Sequence, residues 1–301
     1  MTTPKNIEFS IIVNCHNSEL FIKEAIVSLL NQTFKNFEII IINNFSNDNT
    51  QNIISVFKDK RIKVYSTNKF LTLGAARNFG LSKVCGNYIS FLDSDDFWDQ
   101  KKLEFSLIKL KEGYGIVYSD VIYFDNNQKF KLYSRNRPYQ GECFEKLLFD
   151  YNLCLSSLIF KRSIILENNI DFDQNLNVCE DLDFFLRIAK KTKIGYVNKV
   201  LVNYRIHKNS LTAQKRELFF LETEYIINKL VSTHVLKNKL LTKNKIENAI
   251  YLWKKKKNIT SFKILFNTPN FYLSKKFILF FVFLFPFSII KFVFSKRFAT
   301  V

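Results

Sequence analysis

A chain of 301 residues, 47% of them hydrophobic, is long enough for one large globular domain with an appendage, and its 7 glycines and 4 prolines leave no low-complexity linker. The net charge of +18 is lopsided: from Lys229 onward stand 15 basic residues and one acid, Glu247, so that segment alone carries +14. The five cysteines, Cys15, Cys85, Cys143, Cys154 and Cys179, show neither Cys-x-x-Cys nor Cys/His spacing, which argues against a thiolate metal module and for reduced thiols in the cytosol.

The start, Met1 to Glu8, is polar and lacks the apolar stretch of a secretory signal, so the main domain is expected in the cytosol. Phe9–Val13 reads as a buried strand ending at Asn14-Cys15-His16-Asn17. Ser18 is suited to cap the next segment, where Leu20, Ile22, Ala25, Ile26, Leu29 and Leu30 follow helical spacing. Phe37–Ile42 is a second buried strand, ending in Asn43-Asn44-Phe45-Ser46-Asn47-Asp48. A helix over Thr50–Phe57, a strand over Ile62–Ser66, a helix over Gly74–Val84 and a strand over Tyr88–Leu92 follow, the last running into Asp93-Ser94-Asp95-Asp96. This alternation predicts a parallel sheet with right-handed crossovers. Ligands of such sheets bind beyond the carboxyl ends of the strands, so the three polar strand ends should face one cleft.

After Asp120 the pattern changes. Val121–Asp125 and Gln128–Tyr133 suggest a hairpin, Leu155–Phe160 a strand, Asp181–Lys190 an amphipathic helix and Gly195–Tyr204 another strand. Residues 215–267 read as charged helices. The expected organisation is a main domain over 1–214, a basic helical extension over 215–270 and a hydrophobic, basic tail over 271–301. Within the tail, Phe277–Ile290 is 14 uncharged residues flanked by Lys275, Lys276 and Lys291, and a helix there would be bent by Pro286. A spanning helix needs about 20 residues. The tail is therefore expected to lie shallowly on an anionic membrane surface, with a single span as the second reading and a core helix as the third. No nucleic-acid reader motif accompanies the basic residues, so nucleic acid is not an expected partner.

Asp93, Asp95 and Asp96 crowd three carboxylates into one turn, which is costly unless a cation or basic group balances them. Hard oxygen donors suit manganese or magnesium bridging to phosphate; the competing reading is that Asp96 or Asp99 starts the next helix. Asn43, Asn44 and Ser46 can hydrogen-bond a base or ribose, or form a plain Asn-rich turn. Gly74-Ala75-Ala76-Arg77-Asn78 opens a helix where Arg77 can meet a phosphate, or can be a surface arginine. Glu180-Asp181 begins a helix and can supply a general base, or two caps favoured by the helix dipole. His207, in Tyr204-Arg205-Ile206-His207, is a candidate metal or phosphate contact.

Taken together, Phe9–Val13 with His16-Asn17, Leu29-Leu30-Asn31-Gln32-Thr33, Phe37–Ile42, Gly74–Asn78, Phe91-Leu92-Asp93-Ser94-Asp95-Asp96, Glu180-Asp181 with Arg187, and Tyr204-Arg205-Ile206-His207 resemble the family-2 glycosyltransferases of bacteria over residues 7–212. The resemblance implies an α/β fold of the GT-A type with a mostly parallel sheet, followed by a helical C-terminal region. It implies an inverting transfer of a single sugar from a nucleotide-sugar, a UDP-sugar first; the basic, apolar tail alone points to a glycan or lipid-linked acceptor on the cytosolic face of the bacterial inner membrane. By position it gives Asp181, with Glu180, as catalytic base. Asp93, Asp95, Asp96 and His207 become ligands of a divalent cation. His16, Asn44, Ser46, Gly74, Arg77, Asn78 and Asp93 become donor contacts. The family usually has Asp-Asp-Gly-Ser where this chain has Asn43-Asn44-Phe45-Ser46, and Asn44 keeps an acceptor oxygen without the charge. A nucleotidyltransferase would want a Gly-rich basic loop after the first strand, which Asn14-Cys15-His16-Asn17 does not offer; an inactive binding protein is the other alternative.

Overall fold

The computed structural model describes residues 7–125, 127–134, 137–207 and 215–268. It divides into two compact units, Met1–Lys215 and Arg216–Val301.

The first unit is built on one sheet. β1 (Phe9–Cys15), β2 (Phe37–Asn43), β3 (Ile62–Ser66) and β4 (Tyr88–Phe91) run parallel in the order β3-β2-β1-β4. β1 and β2 are near-continuous apolar runs because both faces of the sheet are covered. On one face α1 (Ile22–Leu30) buries Ile22, Ala25, Ile26 and Leu29, with α2 (Thr50–Ser55) beside it. α3 (Leu73–Leu81) packs on β1 and β2, and only glycine fits at Gly80, where an added Cβ would lie 2.7 Å from Ile12 Cγ2.

Past β4 the sheet turns antiparallel. β5 (Phe97–Trp98) and α4 (Lys102–Lys111) lead to β6 (Ile116–Phe124), which pairs with β7 (Lys129–Lys131) as the expected hairpin. α5 (Phe144–Phe149) precedes β8 (Ile159–Lys161), which joins β4 to β6; α6 (Arg162–Asn168) and α7 (Glu180–Ala189) then lead to β9 (Ile194–Arg205), parallel to β6. The mostly parallel α/β sheet with helices following it is thus the fold observed.

One expected strand is shorter than the sequence suggests. Leu155–Ser157 is a 3-10 turn and only Ile159–Lys161 enters the sheet. The Ser156 and Ser157 carbonyls accept from Trp98 Nε1 and Lys102 Nζ, each at 2.8 Å, so these groups are satisfied by side chains and not by a ladder.

The second unit contains α8 (Arg216–Leu230), α9 (His234–Lys254) and α10 (Asn258–Phe266). Ala249, Trp253 and Leu265 form its small core, and Ser261 Oγ donates to the Ala249 carbonyl at 2.7 Å. Among the described residues no helix is long and apolar enough to cross a membrane, and the Phe277–Ile290 run lies outside them.

Gly86 tests the seam between β1 and the entry to β4. Its N–H donates to Ser10 Oγ at 2.8 Å, and an added Cβ would stand 2.7 Å from the Phe9 and Ser10 backbone. Backbone cannot yield as a side chain can, so Gly86→Ala should cost about 2 kcal/mol. Thermal melting should show a fall of roughly 5 °C.

Candidate functional site

The exits of β1 and β2 are interlocked. Cys15 and Asn43 pair in register. The Asn44 N–H donates to the Cys15 carbonyl, and His16 Nδ1 meets the Asn44 carbonyl, both at 2.8 Å. The Asn17 N–H donates to Ser46 Oγ at 3.0 Å and Asn17 Oδ1 accepts from the Asn47 N–H at 2.9 Å. Asn17 and Phe45 hold this lock in left-handed backbone, at φ of 49° and 57°. Asn44 is not the open base contact expected from its position. It is 5% exposed, and its amide donates to the Leu71 carbonyl and accepts from the Leu71 N–H, both at 2.9 Å. His16 is exposed, its ring edge-on to Phe70 with centroids 4.7 Å apart.

The acidic turn after β4 sends its three carboxylates to three different places. Asp96 points inward: its carboxylate accepts from Ser156 Oγ at 2.6 Å and from the Arg205 N–H at 3.0 Å. Burial and the charges of Asp95 and Asp93 push its carboxyl well above the usual range. Asp96 is therefore a structural tie between the turn and the end of β9, whereas Asp99, the other residue read as starting the next helix, accepts from the Lys101 N–H at 2.8 Å just before α4. Asp95 faces partly outward, with His207 Nε2 at 2.8 Å. Asp93 lies 3.3 Å from the Arg77 guanidinium; burial, opposed by Arg77, moves its carboxyl up to about 6. Among the described residues no group of three or more His, Cys, Asp or Glu side chains stands placed to hold a metal ion. The expected four-ligand set is thus not assembled; the pair Asp95 and His207 is.

α3 and α7 meet behind this turn. Asn78 is spent on the backbone of Phe172, donating to its carbonyl at 2.9 Å and accepting from its N–H at 2.8 Å. Gly74 gives the same segment room, since a Cβ there would stand 3.2 Å from the Asp173 carbonyl oxygen. Both therefore position chain and do not face an open donor site. Arg77, 4% exposed, is no phosphate-facing arginine. It donates to Glu180 Oε1 at 2.5 Å and to Asp93, with the Phe172 and Phe91 rings 5.6 and 6.0 Å from its guanidinium carbon. Glu180 is thereby consumed as an ion-pair partner. Asp181, the next residue, is only part-buried and accepts from the Leu182 N–H at 2.7 Å. Burial, then the Glu180 charge, pushes its carboxyl up to about 7.

Sequence reasoning missed Ser156, which joins the acidic turn to Leu155–Ser157. It also missed Arg205, whose guanidinium donates to the Asp95 carbonyl at 3.1 Å and pairs with Glu24. It missed Tyr151 and Asn152 as well, whose side-chain polar atoms are buried without hydrogen-bond partners. Ser156 and Arg205 take these roles through partners distant in sequence.

A family model described as glycosyl transferase family 2 matches residues 10–166. An uncharacterized glycosyltransferase of Rickettsia bellii is 29% identical over 242 residues, 79% of this chain and 34% of the relative. The chain thus spans about a third of the length of that relative. The UDP-Glc:alpha-D-GlcNAc-diphosphoundecaprenol beta-1,3-glucosyltransferase WfgD of Escherichia coli is 29% identical over 209 residues, 68% of this chain and 80% of the relative. Among solved structures, S. aureus TarS 1-349 in complex with UDP-GlcNAc aligns at a TM-score of 0.67 with 18% identity, over 87% of this chain and 82% of that one. The mannosyltransferase PcManGT from Pyrobaculum calidifontis, in complex with GDP-Man and Mn2+, aligns at 0.62 with 15% identity, over 87% and 75%.

Two outcomes follow from the geometry. Arg77→Met strands the Glu180 carboxylate in a buried site, so urea denaturation should show a loss of about 3–5 kcal/mol, largely recovered in the Arg77→Met/Glu180→Leu double variant. Asp93 and Asp181 are raised above the ordinary carboxylate value, so the folded chain holds more protons than the unfolded one. The stability they contribute is fully present below about pH 4 and lost as pH rises through 6 to 7. Asp181→Asn should flatten that slope in denaturation curves taken across the range.

Proposed function

We propose, from the premise that the chain belongs to glycosyl transferase family 2, that it moves one sugar from a nucleoside-diphosphate sugar to a hydroxyl of a lipid-linked or cell-surface glycan acceptor. The observation that carries this is Asp181: a part-buried carboxylate with its proton affinity raised to about 7, at the start of α7, tied through Glu180 and Arg77 to the acidic turn at the end of β4. A base working at neutral pH needs that affinity. Asp181 takes the proton from the acceptor hydroxyl. The acceptor oxygen forms its bond to the anomeric carbon as the bond from that carbon to the diphosphate oxygen breaks, and the nucleoside diphosphate leaves with the electron pair. Attack opposite the leaving group inverts the anomeric centre.

Asp95 and His207, both partly exposed, offer one oxygen and one nitrogen donor. Two protein donors suit manganese or magnesium that completes its shell with diphosphate oxygens, and do not suit an all-protein metal centre. Such a cation would supply charge to the leaving diphosphate. The Mn2+ present in the PcManGT complex supports use of a divalent cation. In this reading His16 and Ser46, at the exits of β1 and β2, would meet the base and ribose of the same donor. WfgD, whose acceptor is a diphosphoundecaprenol-linked sugar, supports a lipid-linked acceptor here, as does the basic, Phe-rich sequence after Lys229; both favour work at the cytosolic membrane face.

The test uses UDP-Glc, UDP-GlcNAc and GDP-Man as donors with GlcNAc-diphosphoundecaprenol as acceptor and Mn2+ present. The active pair should show kcat/KM rising with pH and levelling above about 7, as the raised Asp181 deprotonates. Asp181→Asn should lower kcat by roughly a thousandfold with donor affinity unchanged. Near-normal turnover in that variant removes Asp181 as base, and full turnover after chelation removes the cation.

A further inference from the structure

Two successive residues carry buried polar atoms with no hydrogen-bond partner. The Tyr151 hydroxyl and both ends of the Asn152 amide are closed off from solvent and unpaired. Groups buried in this way cost stability, and native chains keep few of them. The backbone that carries them is nonetheless held. The Asp150 N–H donates to the Lys146 carbonyl at 2.9 Å, closing α5, and the Asn152 carbonyl accepts from the Tyr133 hydroxyl at 2.6 Å.

The fold places Tyr151 between the two halves of the candidate site. α5, which ends two residues before it, packs against α7, the helix that begins with Glu180 and Asp181. Four residues after it starts the Leu155–Ser157 turn, tied through Ser156 to the acidic turn. Burial first, and then the Asp181 charge, push the Tyr151 hydroxyl well above its usual value, and the Arg77 charge acts on it as well. The hydroxyl therefore stays protonated and can both donate and accept. Asp181 spends one carboxylate oxygen on the Leu182 N–H, and among the described residues nothing else bonds it.

We propose that Tyr151 is an acceptor-binding residue, its hydroxyl holding a second hydroxyl of the acceptor sugar while Asp181 takes the proton from the first. This rests on the transfer reading above. A sugar ring carries hydroxyls on neighbouring carbons, and a carboxylate that only accepts, beside a phenol that can donate, matches such a pair. One contact at the base leaves the ring free to turn; a second orients the attacking oxygen. Tyr151 as a whole is half-buried, so a side-chain rotation of the kind common on binding brings its hydroxyl to a bound sugar.

Tyr151→Phe removes the hydroxyl and keeps the ring. The full chain is assayed with GlcNAc-diphosphoundecaprenol as acceptor, Mn2+, and whichever of UDP-Glc, UDP-GlcNAc and GDP-Man turns over. The variant should melt no lower than the parent, because a buried hydroxyl without a partner adds no stability. Its acceptor KM should rise roughly tenfold with the donor KM unmoved. An unmoved acceptor KM, or acceptor and donor KM rising together, overturns the contact and leaves the transfer reading standing. A lower melting temperature overturns it too, by showing an internal partner such as a water shared with Glu180 Oε2, which is also buried and unpaired. If the parent chain turns over none of the three donors, the transfer reading falls and this contact with it.

Discussion

The site depends on one buried guanidinium. Arg77 reaches Glu180 on α7 and Asp93 at the end of β4, and it does so away from solvent. A buried charge is tolerable only when it is paired, and breaking such a pair is far more costly than lacking it. α3, the end of β4 and α7 are thereby held at one point, Glu180 of α7 lying 103 positions beyond Arg77. A lysine could not replace the arginine, because only a planar fork reaches two carboxylates at once while lying against the Phe91 and Phe172 rings. Asp181 is one residue beyond Glu180, so the place of the proposed base follows from this pair, while its raised proton affinity comes first from burial and then from the Glu180 charge.

A second anchor ties the acidic turn to the end of β9. The end of β9 gives its Arg205 N–H to Asp96 and its guanidinium to the Asp95 carbonyl, and His207 stands against the Asp95 carboxylate. Like charges crowded into one turn are thus separated by function. Asp93 balances Arg77, Asp96 fastens the turn to Ser156 and β9, and Asp95 is left facing out beside a histidine. Repulsion among three carboxylates, which pointed to a bound cation from the sequence alone, is met mostly by the protein's own donors.

Much of this was legible in the sequence. The apolar runs of β1 and β2, the alternation with helices and the polar strand ends gave the parallel core and its functional edge. The acidic turn, Asp181 and His207 were visible as residue types in the right order. Less legible was what each side chain touches. Asn44 and Asn78 look like ligand contacts but clamp backbone at Leu71 and Phe172, and the Arg77–Glu180 pair spans 103 positions with no periodicity to betray it. Leu155–Ser157 has strand composition, yet its carbonyls are claimed by Trp98 and Lys102. In each case a long-range hydrogen bond overrode a local preference.

The reaction proposed for this site breaks the bond between a sugar and a nucleoside diphosphate. The most direct measurement is product analysis after the full chain is incubated with sugar nucleotides, Mn2+ and a polyprenyl-diphosphate-linked sugar. A nucleoside diphosphate and a lengthened, anomerically inverted glycan should form in equal amounts. A nucleoside monophosphate with sugar phosphate, or no cleavage of any donor, would contradict it.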